Sequence, residues 1–122
     1  MTGVEIVRDI VLFGHLLGMA SLLGGALVQM RGKDRVVNAA MFHGAVTQVV
    51  SGILLVGVAY ALDDGAEGAD VDNAKIGAKL LVALVVLALC WTHRKRATVS
   101  EKVFFAILGL TLANVAVAVF WP

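Results

Sequence analysis

The chain has 122 residues, of which 60% are hydrophobic and 16% charged, with a net charge of +1 and a mean hydropathy of +0.91. A soluble domain carries about a quarter charged residues, so this composition points to an integral membrane protein. No basic patch is interleaved with aromatics, which excludes a nucleic-acid binder, and the single cysteine, Cys90, excludes an internal disulfide or a multi-cysteine metal centre.

A membrane-spanning helix needs about 20 mostly apolar residues. The first such run is predicted over residues 4–30. Its start, "MTGVEIVRD", is mixed in charge and lacks the basic opening of a signal peptide, so it reads as a retained helix. Gly14, Gly18, Ser21 and Gly25 follow one another at spacings of four, three and four and share one stripe. The second helix is predicted over 36–62, with a matching stripe of Gly44, Gln48 and Gly52. Small residues let membrane helices approach closely, so both stripes read first as packing surfaces within the chain. A dimer seam or a close approach to a flat cofactor is the alternative. The third helix is predicted over 74–92 and the fourth over 102–121. The expected fold is all-α: one domain, residues 1–122, forming an integral membrane four-helix bundle.

The connections set the orientation. Arg31, Lys33 and Arg35 follow the first helix, and Arg94, Lys95, Arg96 and Lys102 surround the third turn. The middle loop carries Asp63, Asp64, Glu67, Asp70 and Asp72. Basic loops stay in the cytoplasm, which places the N and C termini and the acidic loop outside. Trp121 and Trp91 then sit at opposite interfaces. The expected location is the cell (inner/plasma) membrane.

Polar residues at depth are the candidate site. At 1.5 Å of rise per residue, His15 lies about 13 Å, Lys79 about 9 Å, Asn114 about 10 Å and Ser51 about 16 Å from the outer face. One polar residue per helix thus gathers in the outer half. Ionisable groups in a membrane are costly and mark function by default, although a neutral histidine also serves as interhelical glue. Met19 lies one turn after His15 and completes a ligand pair suited to haem or copper, unless it only fills the core. Lys79 either faces His15 or snorkels outward. Gln48, Ser51 and Asn114 form a polar surround. His43 lies nearer the cytoplasmic side, about 10 Å or more from His15 along the bundle by the same rise. One haem joining the two histidines is therefore strained, and two sites, or one site plus a structural histidine, fit better. His93, at the basic edge, reads as solvated.

Several stretches together carry a family likeness. "GHLLGMASLLGG", "HGAVTQVVSGILLVGVAY", "AKIGAKLLVALVVLALCWTHRKR" and "LANVAVAVFWP" resemble the four successive helices of CopD-like membrane domains. That family includes copper-resistance CopD proteins and small haem-associated protoporphyrinogen oxidases of the HemJ type. The resemblance implies a haem-binding or redox-linked bundle, with the family's first-helix histidine at His15 and its third-helix lysine at Lys79 or Lys75. The tryptophan common after that histidine is replaced here by "GMASLL".

The leading functional expectation is a small membrane protein that binds haem b, or copper in its place, for electron transfer or haem and metal handling. His15 would be one ligand, with Met19, Lys79 or His43 as the second. A non-enzymatic accessory subunit of a larger membrane complex, a homo-oligomer, and a small transporter or channel are the alternatives. No catalytic residue is assigned: phosphate loops, dinucleotide fingerprints and HExxH motifs are absent.

Overall fold

The computed structural model describes residues 3–63 and 73–121. The acidic residues Asp64, Glu67, Asp70 and Asp72 of the middle loop lie outside the described residues. The described chain forms helices α1 (Gly3–Leu27), α2 (Ala39–Asp63), α3 (Asn73–His93) and α4 (Glu101–Phe120), and no strand. All four are long and apolar enough to cross a membrane. Phe13, Leu16, Leu17, Leu81 and Val119 turn outward from the bundle, the arrangement that lipid permits and water does not.

Neighbouring helices run antiparallel, as cross-contacts show. His15 meets Ser51 while Gly25 meets Met41. Phe42 stacks near Trp91 with ring centroids 5.7 Å apart. Each helix packs on its chain neighbours and α4 closes lightly onto α1. The tightest seam is α1–α2. A Cβ built on Gly44 would stand 2.6 Å from Leu22 N and 2.7 Å from Gly18 O, so only glycine fits there. Gly18 faces Thr47 and Gln48, and Ser21 Oγ donates to Ala40 O at 2.7 Å. The two small-residue stripes therefore pack against each other within the chain.

The predicted first and second helices overran their ends. The first was expected to reach Met30 and stops at Leu27; the second was expected from Val36 and starts at Ala39. Side-chain amides at the turn explain both. Gln29 acts as a surrogate backbone: its Oε1 accepts from Val36 N at 2.8 Å and its Nε2 donates to Val36 O at 2.7 Å. Asn38 caps α2, accepting from Met41 N at 2.9 Å, while its Nδ2 donates to Gly25 O at 3.0 Å. Losing an N-cap costs about 1 kcal/mol. Asn38→Ala also removes one of two donors to Gly25 O, leaving Gln29 Nε2 at 3.1 Å, so we expect a total loss of about 1.5 kcal/mol. Amide exchange at Met41 and reversible unfolding in mixed micelles would check this, with Asn38→Asp, which keeps the cap, retaining part of it.

The loop end of the bundle is apolar and closely filled. Met41, Cys90, Phe104 and Ile107 are fully buried, joined by Leu22, Ala26 and Leu108. Ser100 caps α4 by accepting from Val103 N. Val99 N donates to Arg35 O at 2.9 Å, which ties the α3–α4 connection to the α1–α2 connection. The Arg35 guanidinium lies over Phe104 and Phe105, and that of Arg94 over Phe42 and Trp91.

Candidate functional site

Register places the polar residues in layers. Met19, Leu22, Ala45, Gln48, Ala83, Val86, Thr111 and Asn114 line a small cavity to which every helix contributes a pair. One turn toward the chain termini from Met19 stands His15, and one turn in the same direction from Ala83 stands Lys79. Both are half-buried. Helix register sets His15 and Lys79 one turn to the same side of the cavity.

His15 answers to α2. Its Nδ1 and Ser51 Oγ are 2.6 Å apart. The Ser51 hydroxyl in turn donates to Thr47 O, one turn back along its own helix. A serine has one hydroxyl hydrogen, and that bond uses it. His15 Nδ1 therefore carries the proton and donates to Ser51 Oγ, leaving Nε2 as the nitrogen with the free lone pair. The backbone is held as well, because Gln48 Nε2 donates to His15 O. The reason for the room is in the glycines. Beyond Gly18 the α1–α2 seam opens: a Cβ on Gly14 would touch nothing, and one on Gly52 would meet only His15 Cε1, at 3.9 Å. The imidazole fills the space that Gly52 leaves.

Other predicted residues are dispersed. Met19 faces the cavity, one turn deeper than His15. His43 is exposed on the outer face of α2, edge-on to Phe42 with centroids 5.5 Å apart. It precedes Ser51 by eight residues, about 12 Å of helix, so it does not join His15 at one centre. The reason is helical phase: Gly44, next to it, is the residue turned into α1. His93 is not simply solvated, since its Nδ1 donates to Leu89 O at 2.8 Å within the last turn of α3. Asn114 Oδ1 is buried and no protein donor reaches it. Thr111 is a member of the cavity wall that sequence reading missed. Its hydroxyl donates to Ile107 O at 2.7 Å, and a threonine on an apolar helix gives no outward sign of such a place.

What this donor set can hold is limited. Among the described residues no group of three or more His, Cys, Asp and Glu side chains gathers as a metal centre. A copper or zinc ion wants three or four such ligands, so a bare ion does not fit. Haem needs only an axial donor from the protein. His15 fits that requirement, with its Nδ1 proton engaged and its Nε2 lone pair left over, the arrangement usual for ligating histidines. The central cavity, with room for about one water, is too small to take a macrocycle.

The described residues define a class: a small all-helical bundle whose four helices are long and apolar enough to cross a membrane, with a hydrogen-bonded histidine between α1 and α2. No family model, curated protein or solved structure matches the chain.

Proposed function

We propose that this chain is a multi-pass protein of the cell membrane, with both termini outside, that binds haem b through His15 in electron transfer or haem handling. The observation that carries the reading is the Nδ1 bond to Ser51, which orients the ring and leaves Nε2 available inside a low-dielectric layer. When bound, haem would supply one-electron chemistry, and His15 would hold it through Nε2. Ser51 fixes the ring's orientation and tautomer, and Gln48 anchors the backbone at the same residue. Lys79, at the same level, would pair with a propionate or serve as a second donor to the group. The CopD-like resemblance points the same way.

A channel through a single copy is disfavoured. The polar residues occupy the termini end and the middle of the bundle, while Met41, Cys90, Phe104 and Ile107 close the other end without a polar atom besides sulfur in their side chains.

The test is optical. Haem added to the purified protein in detergent or nanodiscs should give a Soret band and, on reduction, sharp α and β bands. His15→Ala should abolish these, whereas Ser51→Ala should keep binding but weaken it by about tenfold, the lower end for loss of an outer-sphere partner. A wild-type protein that gives no Soret band after supplementation would sink the proposal. In that case the alternative to pursue is the accessory subunit of a larger membrane complex.

A further inference from the structure

The cavity lies deeper than His15 and is not used by the haem reading. Its volume for the centre of a water-sized molecule is about 10 Å³, close to what one water requires. Its lining is mostly apolar but carries three polar side chains. Gln48 and Thr111 are nearly fully buried, at 5% and 3% exposure, and Asn114 Oδ1 is buried with no protein donor. Thr111 spends its only hydrogen on Ile107 O, so its hydroxyl has acceptor capacity left. Gln48 spends one amide hydrogen on His15 O, which leaves a second hydrogen and the amide oxygen.

We propose that this cavity is a built site for a single buried water, which bridges Gln48 on α2 to Thr111 and Asn114 on α4. The inventory balances. A water donates twice and accepts up to twice; Asn114 Oδ1 and Thr111 Oγ1 accept, and Gln48 offers a donor or an acceptor according to the face it turns inward. A monovalent cation fits worse. The wall holds no carboxylate, five of its eight residues are apolar, and burying an uncompensated charge costs far more than burying a neutral dipole. A dry cavity would leave Asn114 Oδ1 buried and unbonded, which folded proteins seldom tolerate.

The bridge has a structural consequence. Helices α2 and α4 lie diagonally across the bundle, with no Cα of one within 8 Å of a Cα of the other among the described residues. The water is a polar link between them. Because Gln48 also holds His15 O, Asn114 becomes a remote positioning residue for the histidine. The inference stands whether or not haem binds.

Radiolytic hydroxyl-radical labelling of the intact chain in nanodiscs reads such a water directly, because the radical forms where the water sits and Met19 is an oxidisable wall residue. Met41, fully buried at the loop end, is the internal reference. In the wild type, Met19 oxidation should exceed that of Met41 at least threefold. Pulsed mixing with ¹⁸O-water should show Met19 acquiring the label more slowly than the exposed Met30. In Asn114→Leu the excess at Met19 should fall to the Met41 level, and in Thr111→Val it should fall by about half. Equal oxidation of Met19 and Met41 in the wild type overturns the proposal, as does an Asn114→Leu protein that remains helical and keeps the excess. If Asn114→Leu fails to fold, the wild-type comparison and Thr111→Val decide. Replacing sodium and potassium in the buffer by an organic cation should change nothing; a dependence on the alkali ion overturns water in favour of a cation. A Soret band lost in His15→Ala but labelling kept, or the reverse, separates this inference from the haem reading.

Discussion

Gly44→Ala should be the most damaging single-methyl change in this chain, lowering stability by about 3 kcal/mol, the upper part of the range for an overpacked core. The three atoms that its Cβ would strike are Leu22 N, Gly18 O and Leu22 Cα, all backbone of α1 and all within 2.9 Å. No rotamer change relieves a clash with backbone, so the helices must separate. Separation is costly here in a way peculiar to lipid: association rests on close packing, because the surrounding tails are as apolar as the side chains. Gly18→Ala should cost less, since its neighbours are the side chains of Thr47 and Gln48. Gly109→Ala and Gly57→Ala, where the added methyl meets nothing, should stay within about 1 kcal/mol of wild type, the size of the helix-propensity difference. Unfolding titrations in mixed micelles would rank the four. A Gly44→Ala protein as stable as Gly109→Ala would mean that the α1–α2 seam is wrong.

Phe104→Ala should lower stability by about 3 kcal/mol. In water such a change loses a transfer term and a cavity term, but a chain unfolded within the membrane keeps its apolar solvent, so the cavity term dominates. Removing about 100 Å³ at 24 cal/mol per Å³ gives about 2 kcal/mol. The Arg35 guanidinium, 5.4 Å from the ring centroid, loses one of its two aromatic faces, which adds about 0.5–1 kcal/mol. Phe104 is fully buried, whereas Phe13 is 65% exposed on the outer face of α1. Phe13→Ala should accordingly be near neutral. The same micelle titration distinguishes them, and equal effects for the two would contradict the assigned orientation of α1 and α4.

The number of helices was legible from the chain because it rests on a coarse quantity, the length of the apolar runs. His15, Lys79, Ser51 and Asn114 were placed in one half of the bundle by counting turns. What counting could not give was phase. His43 and Gly44 are adjacent, yet one faces outward and the other is pressed against α1, and only the helix partner decides which. The helix ends were hidden for a different reason. Val28 and Val36 are as apolar as the residues inside the helices, and the stop comes from Gln29 and Asn38, whose amides complete backbone bonds across the turn. Thr111 was invisible because its hydroxyl is satisfied by its own helix and announces nothing.

The hydrogen bond from Val99 N to Arg35 O makes the bundle behave like a clothes-peg. The two hairpins are hinged where their connections are stitched together, with two arginines clamped on aromatic rings beside the stitch. His15 stands away from that stitch, toward the ends of the hairpins that the apolar plug of Met41, Cys90, Phe104 and Ile107 does not fill.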